Sequence, residues 1–140
     1  MDKSIYLAKL LGPVLAVVGL GFIMRRVEFV GVFRDVASNP TVIFVMCVLG
    51  LLGGVALILA HNIWAADWRL IITILGWWSA IESAVWLIVS GTTLRDIVLP
   101  LLTPGLVVSY GVFVLLLGCV LIYFGYLAPQ QGAGHSGRTR

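Results

Sequence analysis

Charged side chains are scarce in this sequence of 140 residues: Asp, Glu, Lys and Arg make up 11% of it, against roughly 25% in an ordinary soluble domain. The shortage is uneven, because no charged residue occurs from position 36 to 66 or from 97 to 137. Hydrophobic residues make up 61%, and the mean hydropathy is +1.10. Each uncharged run exceeds the roughly 20 apolar residues that cross a bilayer as a helix. The composition excludes an ordinary soluble domain and predicts an integral membrane protein.

Motifs of catalysis and of metal binding are also lacking. The sequence has no Gly-rich phosphate loop, no HExxH, no metal-spaced Cys/His cluster and no evident nucleophile with its base. Cys47 and Cys119 lie in apolar runs, where a thiol behaves as a small hydrophobe. His61 has only Asp67 as a nearby potential co-ligand for a metal. We therefore predict no enzyme, no cofactor and no metal site.

The apolar runs predict an all-α protein with four transmembrane helices, at residues 5–24, 41–60, 70–90 and 105–126. The first run is kept as a span, since no A-x-A cleavage pattern follows it and Arg25 and Arg26 come directly after it. The tail at 129–140 is rich in Gly, Gln and Ser, which predicts disorder and leaves 1–128 as the membrane domain.

A weak internal repeat emerges when the chain is aligned with itself at an offset of 64 residues. It predicts two tandem helix–connector–helix halves, 5–60 and 69–126; chance matching in a chain rich in Leu and Gly is the alternative. Two crossings per half make the repeats parallel and place both termini on one side. The aligned pairs are Leu11-Gly12 with Leu75-Gly76, Pro40 with Pro104, Leu52 with Leu116, Gly54 with Gly118, and Leu57-Ile58 with Leu121-Ile122.

Each connector has apolar residues at helical spacing, and each ends at a proline. The first has Phe29, Val32, Phe33, Val36 and Ala37 opposite Glu28, Gly31, Arg34, Asp35 and Ser38. The second has Leu94, Ile97, Val98, Leu101 and Leu102 opposite Arg95 and Asp96. Such segments are expected to lie as amphipathic helices in the membrane interface. An ordinary polar loop is the alternative for the second, because Pro100 interrupts it.

The basic residues divide almost equally between the two sides of the membrane. We expect cytoplasmic termini, although the positive-inside count is nearly balanced. The net charge of +3 suits anionic lipid headgroups, and nucleic acid is not an expected partner. The terminal side has Lys3, Lys9, Arg69, Arg138 and Arg140, and the other side has Arg25, Arg26, Arg34 and Arg95. Lys9 is close enough to the start of its helix to extend to the surface without a partner.

Small residues recur along one face of several spans, which is how helices pack closely in lipid. We expect these stripes to pack within the bundle, and self-association into a dimer or larger complex is the alternative. They are Gly50 and Gly54 in the second span, Gly76, Ala80 and Ala84 in the third, and Gly111, Gly118 and Gly125 in the fourth.

The hairpin between the second and third spans is the first candidate site. Here we expect a structural role: side chains capping helix ends, and indoles in the headgroup zone. Asp67 is expected to cap the third span. A site for a lipid headgroup, a quinone-like molecule or a partner protein is the alternative. The candidate residues are His61, Asn62, Trp64, Asp67, Trp68 and Arg69.

The same hairpin, continued to Thr73, Gly76 and Trp77, reads H-N-x-W, then W-R, then T-x-x-G-W. In this pattern the chain resembles a family of small four-helix bacterial membrane proteins without an assigned activity. The resemblance extends loosely over most of the chain. It implies the fold and an inner-membrane location, and it implies no substrate.

Glu82, deep within the third span, is the second candidate site. An ionisable group at that depth is costly and is a functional-site hypothesis by default. Helical spacing places Trp78, Ser79 and Trp86 on the same face, one turn away. A carboxylate between indoles could hold an organic cation or carry a proton. Alternatively, Glu82 reaches toward Arg25 or Ser79, or is protonated, and pins its helix within the bundle.

These features rank three functions for the chain. The first is a non-catalytic accessory, scaffolding, lipid-binding or partner-binding membrane protein. The second is a small proton-coupled transporter or channel for organic cations that uses Glu82 in a homodimer. This arrangement is similar in its logic to that of small multidrug transporters, although their carboxylate lies in the first helix. An enzyme is third.

Overall fold

The computed structural model describes residues 3–89 and 91–127, apart from the side chains of 91, 92, 94, 95 and 98. The described chain is helical with short connections and contains no strand. In chain order the helices are α1 (Lys3–Met24), α2 (Arg26–Ala37), α3 (Pro40–Ala60), α4 (Arg69–Ile88), α5 (Gly91–Leu101) and α6 (Pro104–Ile122), and α6 continues as a π-helical segment, Tyr123–Leu127.

Four helices of the described chain are long and apolar enough to cross a membrane: α1, α3, α4, and α6 with its extension. The prediction of an all-α, multi-pass membrane protein with four spans is confirmed. The predicted ends at residues 24 and 60 match, and the other predicted boundaries differ by one or two residues when α6 is taken with its extension; α4 ends at Ile88. Ser90, predicted as the end of this span, and the predicted tail at 129–140 lie outside the described residues.

The starts of α3 and α6 have the same local chemistry. The Asn39 side chain accepts hydrogen bonds from the backbone N–H groups of Thr41 and Val42, at 3.1 and 3.3 Å. The Thr103 hydroxyl accepts from Leu106 N–H at 3.2 Å. A proline follows each of these capping residues in the first turn, where its missing N–H costs no hydrogen bond.

The four spans pack as two close helix pairs, α1 with α6 and α3 with α4. A methyl group added at Gly54 of α3 would lie only 2.5 Å from the Ala80 backbone nitrogen and 2.9 Å from the Gly76 carbonyl oxygen of α4. Because nothing larger than hydrogen fits there, the two backbones come into direct contact. This is the close packing that small residues permit in lipid.

The second helix pair makes the same contacts at positions 64 residues away. A methyl group added at Gly118 of α6 would lie 2.5 Å from the Ala16 backbone nitrogen and 2.9 Å from the Gly12 carbonyl oxygen of α1. Gly118, Ala16 and Gly12 correspond to Gly54, Ala80 and Gly76 at that offset. The small-residue stripes thus pack within the bundle, as expected.

The connectors form helices at the end of the bundle where α1 ends and α3 begins. In α2, Val30 and Ala37 are buried, while Glu28 and Arg34 are exposed, as an amphipathic helix requires. Phe22 of α1 packs on two rings of α2, with centroids 4.6 Å from Phe29 and 5.7 Å from Phe33.

The second connector is also a helix, α5, although it contains Pro100. The alternative of an ordinary polar loop is therefore wrong. Proline is tolerated here because α5 ends one residue later, so little of the helix lies beyond the missing hydrogen bond. The predicted apolar and polar positions Leu94, Arg95 and Val98 have side chains outside the described part of the chain.

The opposite end of the bundle joins the start of α1 to the end of α6. The Tyr126 hydroxyl donates to the Lys9 carbonyl oxygen at 3.2 Å, and the Lys9 ammonium lies 5.5 Å from the Tyr126 ring centroid. Lys9 thus has a cation–π contact with Tyr126. Both ends of the described chain lie at this end of the bundle.

Candidate functional site

The hairpin between α3 and α4 contains a buried histidine in a network of hydroxyl groups. His61 is 3% exposed, and its Nε2 lies 3.0 Å from the Ser4 hydroxyl of α1. Its Nδ1 lies 3.3 Å from the Thr73 hydroxyl of α4, which donates to the Ile63 carbonyl and accepts from Ile63 N–H. His61 therefore connects the hairpin to both α1 and α4.

Asn62 holds the aromatic residues of the same hairpin. Its side-chain oxygen accepts from the indole N–H of Trp64 at 2.8 Å and from that of Trp77 at 3.4 Å. The next residues begin α4, where an Asp67 carboxylate oxygen accepts from Arg69 N–H at 2.8 Å. Asp67 thus accepts from the first N–H of α4, as predicted, but it lies one residue before the N-cap position, which is Trp68.

Trp68 and Arg69 complete the hairpin. The Trp68 ring stacks on Phe124 with centroids 5.3 Å apart, which connects α4 to the end of α6. The Arg69 guanidinium lies 5.9 Å from the Trp68 ring centroid and 4.0 Å from the Asp67 carboxylate. These contacts account for the hairpin residues structurally.

One part of the hairpin prediction is wrong. His61 and Asn62 were expected to satisfy the last carbonyl groups of α3, but their side chains bond to hydroxyl and indole groups instead. The contribution of His61 to the end of α3 comes from its backbone N–H, which donates to the Leu57 carbonyl at 2.8 Å. Sequence reasoning missed Ser4, because 57 residues separate it from His61 and no local pattern relates them.

Glu82 lies on the exposed surface of α4, within the membrane-spanning segment. It is 13 residues from Arg69 and six from Ile88, or about 20 and 9 Å along the helix axis. Among the described residues, no hydrogen bond or ion pair engages its carboxylate. A charged group in this position is therefore left without a partner where water is absent.

The two groups that Glu82 was expected to reach are bonded elsewhere. Arg25 pairs with Glu28, one turn further along the connector. The Ser79 hydroxyl donates to the Gly50 carbonyl of α3 at 2.9 Å. The prediction that Glu82 pins α4 within its own bundle by these contacts is wrong, and so is the placement of Ser79 on the face of Glu82.

The carboxylate lies in a shallow groove on α4, with a volume of about 290 Å³. Trp78, four residues before Glu82, and Trp86, four residues after it, line the groove together with Ile81 and Val85. Ile81 and Val85 are two members of the groove beyond the predicted site residues, and helical spacing places both next to Glu82. This Glu82 groove is thus apolar except for one carboxylate between two indoles.

The corresponding face of α1 provides an internal comparison. At the offset of 64 residues, Trp78, Glu82 and Trp86 correspond to Val14, Val18 and Phe22. Val14 and Val18 are 54% and 41% exposed, as apolar side chains that face lipid should be. Because an apolar face of this kind is compatible with the same helix pairing, the packing does not require a carboxylate at position 82.

A carboxylate exposed to hydrocarbon costs several kcal/mol unless it is protonated, paired or reached by water. The groove therefore favours a positively charged group beside Glu82. The described residues contain no group of three or more His, Cys, Asp or Glu side chains that could hold a metal ion.

Fold and site together define a multi-pass, four-helix membrane protein with one carboxylate exposed in its spanning region. Comparisons with known protein families, with curated proteins and with solved structures found no match. The resemblance of the hairpin to small bacterial membrane proteins therefore stays a prediction.

Proposed function

We propose that this chain is a non-catalytic membrane protein that binds a positively charged membrane component through the Glu82 groove. In this role it serves as an accessory, scaffolding, or lipid- or partner-binding protein. The observation that carries the proposal is the exposed Glu82 carboxylate, which has no partner among the described residues although it lies about 9 Å inside the span.

Three other polar side chains of the spans provide a contrast. The hydroxyls of Thr73, Ser79 and Ser109 each donate to a backbone carbonyl oxygen, at 2.9 to 3.0 Å. Polar groups in lipid are expected to be satisfied in this way. Glu82 departs from the rule, and a bound partner would satisfy it.

We further propose that the two halves arose by duplication. The matched approach of Gly54 to Ala80 and of Gly118 to Ala16 supports this proposal, since each helix pair uses equivalent positions. The paired caps at Asn39 and Thr103 support it as well. After such a duplication, one half kept an apolar face around Val18 while the other gained Glu82.

The proposed location is the bacterial inner membrane, with both termini in the cytoplasm and α2 and α5 in the opposite interface. The resemblance of the hairpin segment supports the choice of membrane. By sequence, five basic residues belong to the terminal side and four to the other side, and this excess of one supports the orientation.

The test is photo-cross-linking in membranes from cells that express the chain, with a photoreactive amino acid at position 81 or 17. Ile81 is 57% exposed beside Glu82, and its equivalent Val17 is 71% exposed on α1. We expect the probe at 81 to give a discrete adduct that disappears with Glu82→Val. The probe at 17 should give only the broad adducts of bulk lipid.

The matched positions make the result interpretable. Both are apolar, exposed and on spanning helices, so bulk lipid should react alike with both. The same pattern of adducts at 81 and 17, or a discrete adduct that survives Glu82→Val, would contradict the proposal.

A further inference from the structure

We infer that the occupant of the Glu82 groove is a small monovalent organic cation with an apolar body. This inference rests on the proposed function, because it specifies what binds at the proposed site. It concerns the groove formed by Trp78, Ile81, Glu82, Val85 and Trp86.

The charge of the occupant follows from the acidic residues of the chain. The sequence has six of them, and Glu82 is the one within the four spans, since the others are Asp2, Glu28, Asp35, Asp67 and Asp96. One carboxylate neutralises one positive charge. A divalent metal ion would need several oxygen ligands and retains water tightly, which this apolar groove does not offer.

The chemistry of the cation follows from the groove walls. Trp78 and Trp86 lie one turn to either side of the carboxylate, and indole is the best aromatic partner for a cation. An ammonium or phosphonium with hydrocarbon substituents is weakly hydrated, so it loses little on leaving water. Its apolar body would contact Ile81 and Val85, and its charge would face Glu82.

The same walls argue against a helix of another protein as the occupant. Helices of this chain approach one another at glycine and alanine, as at Gly54 with Ala80. Trp78 is 66% exposed and stands out from α4, which would hold a second helix backbone away from the carboxylate.

The experiment uses the full chain in nanodiscs of zwitterionic phosphatidylcholine. Equilibrium binding of tetraphenylphosphonium is compared with that of tetraphenylborate, which has nearly the same shape and the opposite charge. We expect saturable binding of the phosphonium alone. Glu82→Gln and Glu82→Val should each weaken it at least tenfold, and Trp78→Leu should weaken it severalfold.

Two controls test whether an indole outside the groove affects binding and whether a substitution at Glu82 disturbs the fold. Trp64→Leu removes an exposed indole of the hairpin and should leave binding unchanged. Glu82→Val places in α4 the residue that the equivalent position 18 already has, so it should fold normally. Thermal unfolding of each variant checks this.

The inference is overturned if the folded wild type binds no phosphonium saturably, if it binds the borate equally, or if Glu82→Gln binds like the wild type. The proposed function can survive that failure: a discrete cross-linked product at position 81 that depends on Glu82 would then point to a different occupant. If the wild type gave neither the cross-linked product at position 81 nor saturable phosphonium binding, the proposed function and the inference would both be refuted.

Discussion

The contact between Gly118 and Ala16 makes the pairing of α1 with α6 sensitive to a single methyl group. In Gly118→Ala, the new methyl carbon would lie 2.5 Å from the Ala16 backbone nitrogen, whereas ordinary van der Waals contact begins near 3.4 Å. Backbone atoms cannot rotate away as a side chain can. The two helices must therefore separate locally by roughly 1 Å, and the van der Waals attraction along their interface is weakened.

We expect Gly118→Ala to lower the free energy of unfolding by about 1 to 3 kcal/mol, the usual range for overpacking. Gly54→Ala should cost a similar amount, because its new methyl group meets Ala80 at the same distance. The measurement is unfolding of the purified protein in mixed micelles as the fraction of denaturing detergent rises, followed by circular dichroism.

Gly53→Ala is the matched control, because an added methyl group there meets no atom within 4 Å. Its stability should be unchanged or higher by up to about 1 kcal/mol, since alanine favours the helix over glycine. All three variants gain the same helix propensity. The difference in free energy of unfolding between Gly53→Ala and either of the other two variants therefore isolates the steric effect. If Gly118→Ala proved as stable as Gly53→Ala, the close approach of α1 and α6 would be refuted.

Two further predictions use the same detergent titration. Asn39→Ala should lower the free energy of unfolding by about 1 kcal/mol, because the N–H groups of Thr41 and Val42 lose their acceptor. Asn39→Asp keeps an acceptor and should be nearly as stable as the wild type. Equal stability of the two variants would contradict the cap. His61→Leu should cost about 1 to 3 kcal/mol, because the buried Ser4 hydroxyl loses a hydrogen-bond partner. With Ser4 already replaced by alanine, His61→Leu should cost less; purely additive losses would argue against the contact.

The sequence alone was sufficient for the four spans and for the starts of two of them. Uncharged runs longer than a bilayer is thick leave few alternatives to helices that cross it. Pro40 and Pro104 mark the starts of α3 and α6 because proline is favoured in the first turn. The spacing that places Trp78 and Trp86 one turn from Glu82 is also a local property of a helix.

Tertiary structure alone decided which faces of the spans meet one another. In a soluble helix the apolar side points inward, but lipid is as apolar as a protein core, so hydropathy does not distinguish the two faces. For this reason the sequence could not show that Glu82 is exposed, nor that Ser79 turns toward Gly50. Likewise, the contact of Ser4 with His61 depends on the packing of α1 beside the hairpin, which no local spacing specifies.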